Sequence, residues 1–150
     1  MAPSVPHYTM PVTVRFQHCD PAGIVFFPRY YEMANLTIER FFEERVGASF
    51  AALHRRDGLG VPTVRIETEF SAVSRLEDRI AFDLAIAHRG ASSVRLELTC
   101  RAADDAGDVR LRSAHTLVAV DLARTSSVPW PGHLRARLDA IAAAEPEGTA

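Results

Sequence analysis

No lysine occurs among the 150 residues; all seventeen basic side chains are arginine. That absence rules out a P-loop, whose lysine must reach the terminal phosphates, and any enzyme that forms a Schiff base through a lysine amine. Two cysteines, Cys19 and Cys100, are too few for a disulfide framework or a four-cysteine zinc site and suit a reducing compartment. No apolar run is long enough to span a bilayer, and Met1 to Pro11 carries neither a basic cluster nor the apolar stretch of a secretion signal. The expected location is therefore the cytoplasm, with no membrane partner. Neither sign of charge dominates: nineteen acidic against seventeen basic groups leave a net charge of −2. Without a sequence-wide positive field, nucleic acid is not an expected partner.

What is present is the composition of a globular domain, 47% hydrophobic and 24% charged. The length suits one domain spanning residues 1–150, with 1–9 and 145–150 as loose, aperiodic ends. From Val12 the apolar residues Val12, Val14 and Phe16 alternate with Thr13, Arg15 and Gln17, the period of a half-buried strand. The strand runs into Cys19-Asp20-Pro21-Ala22-Gly23, where proline disfavours helix at Asp20 and glycine relaxes the turn. Pro28 suits a first helical turn. Tyr30, Ala34, Ile38, Phe41 and Phe42 then recur at helical spacing, predicting a helix of about five turns that ends near Gly47. A shorter helical piece over 50–56 is expected before Gly58-Leu59-Gly60.

Strand follows strand from there to Leu122. Val64, Ile66, Thr68 and Phe70 alternate with charged residues, as do Ile80 to Ile86 and Val94 to Cys100. Asp104 to Asp108 reads as a hairpin turn, and the return strand changes phase near Ser113 to His115, predicting a bulge there. Leu134, Leu138 and Ile141 suggest a terminal helix after Pro129-Trp130-Pro131. The expected fold class is α+β: one long helix laid across an antiparallel sheet of about five strands. Such a sheet leaves an edge, and open edges attract partners, so a dimer with a continuous sheet is expected.

The candidate chemistry gathers at Asp20, a carboxylate at a strand end facing a helix start. Unpaired N–H groups there carry partial positive charge and can hold a developing oxyanion. An aspartate in this position also caps turns and helices, and spacing alone does not separate the two roles. Cys19, as an extended neighbour of Asp20, is expected on the opposite face and so reads as a small buried residue rather than a thiol nucleophile. His18 shares the Asp20 face and is a candidate to orient it or tune its charge, and reads equally as a satisfied histidine at a sheet end. Metal binding by His18, Asp20 and one of His54, His88 or His115 has no supporting spacing, so no metal and no redox cofactor are expected.

The run His18-Cys19-Asp20-Pro21-Ala22-Gly23-Ile24-Val25-Phe26-Phe27-Pro28-Arg29-Tyr30 closely resembles the active-site segment of the 4-hydroxybenzoyl-CoA thioesterase family of hot-dog-fold enzymes. The similarity spans roughly Val12 to Leu122, although only this segment is specific. The resemblance implies a hot-dog fold, a catalytic aspartate at Asp20, and a backbone N–H at Phe27 that binds the thioester carbonyl. It also implies active sites at a dimer interface, often within tetramers, and an acyl-CoA substrate whose coenzyme A is the only cofactor-like group. Gly23 and Ile24 of the turn and Tyr30 on the helix become candidate substrate contacts. At the turn His88-Arg89-Gly90-Ala91-Ser92-Ser93, Arg89 matches the basic residues that related enzymes place against the coenzyme A phosphates. Ser92 and Ser93 offer further donors there. Gly90 and Ala91 depart from the pattern, standing where more cations are expected.

An aspartate is a weak base at neutral pH, whereas attack as a nucleophile needs no proton. Attack by Asp20 on a thioester would give an acyl-aspartyl anhydride for water to cleave; activation of water by Asp20 is the alternative. Two other functions fit the same fold. One is an enoyl-CoA hydratase, which wants an Asp/His pair on another loop. The other is a non-catalytic acyl-CoA or acyl-carrier-protein binding module. The acyl group itself, aromatic or aliphatic, is not specified by the sequence.

Overall fold

The computed structural model describes residues 5–144. The segment 145–150, expected as a loose end, lies outside them. At the other end the expectation of loose residues through 9 is corrected, because the first strand, β1, already begins at Tyr8 (Tyr8–Thr13). It stops at Thr13 and does not run on to Cys19. Phe16–His18 instead form a 3-10 turn, with the His18 N–H donating to the Arg15 carbonyl at 2.9 Å.

The long helix α1 (Phe27–Phe41) opens with Pro28 in its first turn and continues as a π-helical turn (Phe42–Val46) to Gly47. Its buried residues Tyr30, Met33, Ala34, Thr37, Ile38 and Phe41 fall on one stripe at spacings of three and four. The short α2 (Phe50–Ala52) follows and also widens into a π-helical turn (Leu53–Asp57). Then come β2 (Leu59–Gly60), β3 (Thr63–Phe70), β4 (Arg79–Arg89), β5 (Ser93–Ala102), β6 (Asp105–Val118), β7 (Val120–Asp121), β8 (Ser126–Ser127) and α3 (Gly132–Ala143).

Five of these strands form one antiparallel sheet in the order β1-β4-β5-β6-β3, and β2, β7 and β8 make a small second sheet. Register fixes which residues meet the helix. Met10, Phe82, Cys100, Leu111 and Phe70 make one row across the sheet, and Leu84, Leu98, Ser113 and Thr68 the next. Against these rows packs the α1 stripe, with Ile38, Phe41, Phe42, Phe82, Leu84, Leu96 and Leu98 at the centre of the core. The opposite face carries charge: Arg101 holds Asp83 at 2.7 Å and Arg65 holds Glu67 at 2.8 Å.

The two edges of the sheet differ. Pro11 within β1 removes a donor from one edge. β3, on the other, has no proline and leaves Val64, Ile66 and Phe70 at 61%, 43% and 47% exposure.

The bulge expected near Ser113 to His115 is absent. Leu111, Ser113, His115 and Leu117 alternate inward without interruption, and the irregularities of this hairpin fall at 100–102. The break in the hydrophobic pattern has another cause: two polar residues occupy core positions. They are tolerated because they satisfy one another, Thr68 Oγ1 meeting Ser113 Oγ at 2.8 Å and Ser113 Oγ meeting His115 Nε2 at 2.9 Å.

Burial pushes the His115 imidazole down to about 4 from the usual 6.5, so the folded protein holds it neutral where an unfolded chain would already bind a proton. Stability is then fully present above pH 6.5 and lost as pH falls from there toward 4. Relative to a His115→Gln variant, the wild-type protein should lose about 3 kcal/mol more unfolding free energy between pH 7 and pH 4, measured by urea denaturation.

Candidate active site

Asp20 sits half-buried in a tight turn whose bonds are nearly all made to its own backbone. Its N–H donates to the Ile24 carbonyl at 3.0 Å, its carbonyl accepts from Gly23 at 2.9 Å, and its Oδ1 accepts the Ala22 N–H at 2.8 Å. Gly23 closes the loop at a φ of 76°, a left-handed conformation that a side chain disfavours. Among the described residues no second donor engages the carboxylate, so it keeps acceptor capacity for a ligand or for chemistry.

The helix that follows begins with a single unclaimed donor. Pro28 has no N–H, the Arg29 amide turns inward to the Phe26 carbonyl at 2.8 Å, and the Phe26 amide is taken by the His18 carbonyl at 3.0 Å. No side chain caps this end. The Phe27 N–H is left without an acceptor among the described residues, at a helix terminus where partial positive charge concentrates. Phe27 also lines a groove of about 310 Å³ together with Val25, Tyr30, Phe70, Ser71, Ala72 and Val73. The Asp20 turn thus leads directly into the helix start that carries the lone amide donor, and Phe27 lines the groove. That pairing can polarise a carbonyl and attack its carbon.

His18 does not take the position expected of it. The 3-10 turn replaces the extended backbone on which that expectation rested, and the ring Nδ1 accepts the Arg15 N–H at 2.8 Å, with no bond to Asp20. Burial, then the cations of Arg29 and Arg15, lower its pKa against the opposing pull of Glu32, and Nδ1, as acceptor of the Arg15 N–H, carries no proton. Through its carbonyl on Phe26, His18 shapes the entry to the helix. Ile24 forms an isolated bridge with Arg75. Tyr30 presents its ring to the groove, but its hydroxyl is already committed, donating to Ser74 Oγ at 2.8 Å. Cys19 bridges Val25. Burial pushes the Cys100 thiol up to about 12, which disqualifies it as a nucleophile. Among the described residues no group of three or more His, Cys, Asp and Glu is placed to hold a metal ion.

Arg89, Ser92 and Ser93 lie elsewhere. The Asp20 turn adjoins the Phe70 end of β3, where Ser71 bonds Arg110 and Val25 bonds Ser74. The turn at 89–93 adjoins the Thr63 end, since Thr63 and Val94 both pair Leu117 and Ala119 donates to the Ser92 carbonyl. Eight strand residues put roughly 23 Å between those ends. Arg89 also has a protein partner: its guanidinium meets both Asp139 carboxylate oxygens on α3. Ser93 gives its carbonyl to the Trp130 indole N–H. At Gly90 a Cβ would meet Ser93 Oγ at 2.5 Å, so a side chain there would require the serine hydroxyl to turn away. A second cavity of about 460 Å³ lies at this end, with Asn35, His54, Val61, Pro62 and Thr63 among its walls.

Two residues of the site region carry no signal in the sequence pattern. Ser74, fully buried, and Arg110 on β6 both reach the segment that holds the Asp20 turn. Ser74 falls in an aperiodic stretch, and Arg110 looks like any charged residue of an alternating strand.

Residues 14–138 match the family model described as the thioesterase-like superfamily. Compared by sequence, no curated protein matches the chain. Several solved structures share the fold. A 1,4-dihydroxy-2-naphthoyl-CoA thioesterase from Synechocystis superposes with a TM-score of 0.80 at 19% identity, over 88% of this chain and 95% of that one. A mutant 4-hydroxybenzoyl-CoA thioesterase complexed with 4-hydroxybenzoyl-CoA gives 0.78 at 19%, over 87% and 97%. A Staphylococcus aureus protein in complex with CoA gives 0.85 at 15%, over 99% and 92%.

Proposed function

The chain belongs to the thioesterase-like superfamily, a family of thioester hydrolases, and we propose that this member cleaves acyl-coenzyme A to the free acid and coenzyme A at Asp20. The observation that carries this reading is the Phe27 amide left without an acceptor at the start of α1, in a residue that lines the groove and follows directly on the segment holding the Asp20 carboxylate. In the proposed reaction a carboxylate oxygen of Asp20 attacks the thioester carbon while the carbonyl oxygen, becoming an oxyanion, accepts the Phe27 N–H. The C–S bond breaks and coenzyme A leaves as thiolate. Water then attacks the acyl-aspartyl anhydride, releasing the acid and restoring the carboxylate. Activation of water by Asp20 in a single step would use the same two groups. Neither route calls for a metal or redox cofactor, and the acyl end would lie among Tyr30, Phe70 and the walls of the groove.

The reading includes a second copy of the chain. β3 offers an unpaired edge with the exposed apolar residues Ile66 and Phe70 on its helix-facing side and the exposed Val64 at its irregularity, and antiparallel pairing of two such edges satisfies both. A two-fold pair of this kind sets the Thr63 end of one copy beside the Phe70 end of the other. Each groove would then receive the other copy's Val61 to Thr63 and its Arg89, Ser92 and Ser93. The residues separated by roughly 23 Å along one strand would meet across the pair. Pairing of such dimers into tetramers, and a cytoplasmic site of action, complete the proposal. No helix among the described residues is long and apolar enough to cross a membrane.

Three measurements test it. A panel of acyl-CoAs assayed for thiol release should show hydrolysis by the wild type and a loss on the order of 10³-fold in Asp20→Ala, with fold and oligomer unchanged. Retained hydrolysis by a folded Asp20→Ala protein would reject the assignment, and double-bond hydration or binding without turnover would favour a hydratase or a binding module. Arg89→Ala should raise KM for acyl-CoA about tenfold, while the rate on an N-acetylcysteamine thioester, which lacks the nucleotide, stays unchanged. Ile66→Glu, which places a charge in the middle of the open edge, should convert the dimer to a monomer in sedimentation velocity and remove activity with it.

A further inference from the structure

We propose that Tyr30, Ser74 and Arg110 form a positioning network that holds the Phe27 amide in place relative to the Asp20 carboxylate. The proposal rests on the reading of Asp20 and Phe27 given above.

The Asp20 turn makes few bonds beyond itself, and those few converge on one segment. Val25 donates to the Ser74 carbonyl at 2.9 Å, Leu76 donates to the Gly23 carbonyl at 3.3 Å, and Ile24 bridges Arg75. Residues 71–78 are therefore the bed on which the turn lies, and their placement decides where Asp20 and Phe27 stand. That bed is irregular backbone, so side chains must fix it.

Arg110 supplies most of the fixing. Its carbonyl accepts the Ser71 and Ala72 amides at 2.8 and 3.2 Å, and its side chain, 11% exposed, reaches back over the same segment. Nη1 meets the Val73 carbonyl at 3.0 Å, Ser74 Oγ at 3.2 Å and Asp78 Oδ2 at 3.0 Å. Nε and Nη2 lie on Asp108 at 3.2 and 3.1 Å. Asp78 is held as well by the Arg75 N–H at 2.8 Å. A planar guanidinium meets this many acceptors at once, which an ammonium cannot.

Ser74 joins this clamp to the helix. Its fully buried hydroxyl receives both Arg110 and the Tyr30 hydroxyl, and Tyr30 lies in the first turn of α1, three residues from Phe27. A chain of bonds thus runs from β6 through Arg110 and Ser74 to the turn of helix that carries the amide. The Ser74 carbonyl holds Val25 on the Asp20 side. One residue bonds both halves of the site, by its side chain and by its backbone. Displacement of a reacting group by about 1 Å costs on the order of 10²-fold in rate, so a joint of this kind acts on turnover rather than on affinity.

The test uses Tyr30→Phe, Ser74→Ala, the double variant, and Arg110→Lys. On the acyl-CoA that the wild type hydrolyses best, Ser74→Ala should lower kcat about 10- to 100-fold with KM within twofold, and Tyr30→Phe about 5- to 10-fold. The double variant should be no slower than Ser74→Ala alone, because the tyrosine hydroxyl acts only through the serine. Arg110→Lys, which keeps the charge and loses the planar fork, should retain only a fraction of the wild-type kcat. Hydrogen exchange gives a readout that needs no turnover: in Ser74→Ala the Val25 amide and the first turn of α1 should exchange at least tenfold faster, with β4 and β5 unchanged. Losses that multiply in the double variant, a raised KM in Tyr30→Phe, or unaltered kcat and exchange in Ser74→Ala would each overturn the network. A protein that retains turnover in Asp20→Ala fails the functional reading instead, and the exchange measurement still decides the network.

Discussion

The bond from the Val25 amide to the Ser74 carbonyl, with the Leu76 amide on the Gly23 carbonyl and the bridge of Ile24 to Arg75, joins two stretches of irregular backbone. On one side is the Asp20 turn, closed on itself and unable to position anything alone. On the other is the segment 71–78, which leaves the end of β3 and returns toward β4. Neither belongs to the main sheet ladder, yet their contact fixes the Asp20 turn on the segment that leads into α1. The helix can offer an empty donor there because Pro28 removes one amide and Phe26 and Arg29 spend two others. A regular cap would have filled the same position with a side chain and left nothing for a ligand.

The sheet serves this arrangement as a rigid floor. Rows of Phe82, Leu84, Leu96 and Leu98 meet the α1 stripe, and burying that stripe fixes the axis of the helix and hence the direction of its first amides. The inward polar pair Ser113 and His115, bonded to Thr68 on the edge strand, departs from an all-apolar floor. It ties β3 to β6 at the middle of the edge that remains unpaired, where register would otherwise rest on backbone bonds alone. The cost is an imidazole that must stay neutral.

The ends of β3 also give the molecule its polarity. The groove lined by Phe27 is at the Phe70 end; the larger cavity and, separately, the turn of Arg89 and the serines are at the Thr63 end. Within one copy these two regions stand at opposite ends of the strand. At the Thr63 end, Arg89 is meanwhile kept in place by Asp139 on α3, so the terminal helix contributes to a turn far from it in sequence. Salt-bridged arginines of this kind are pre-ordered, and a phosphate would compete with a carboxylate for the same fork.

The sequence alone determined what local chemistry dictates. Pro21 and Gly23 force the turn at Asp20, Pro28 opens the helix, three-and-four spacing carries α1 and its π-helical extension to Gly47, and alternation in 63–118 yields strands with known inward faces. Those features depend on φ restrictions and on periods of 2 and 3.6, which a short window contains. Tertiary structure decided the rest, because it depends on residues brought together from far apart. It turned the His18 ring onto Arg15, paired Arg89 with Asp139, let Ser113 and His115 point inward where polarity suggested a bulge, and stacked Tyr30, Ser74 and Arg110 in one chain of bonds. Tyr30 and Arg110 are eighty positions apart along the chain, and a hydrogen bond leaves no periodic trace in either place.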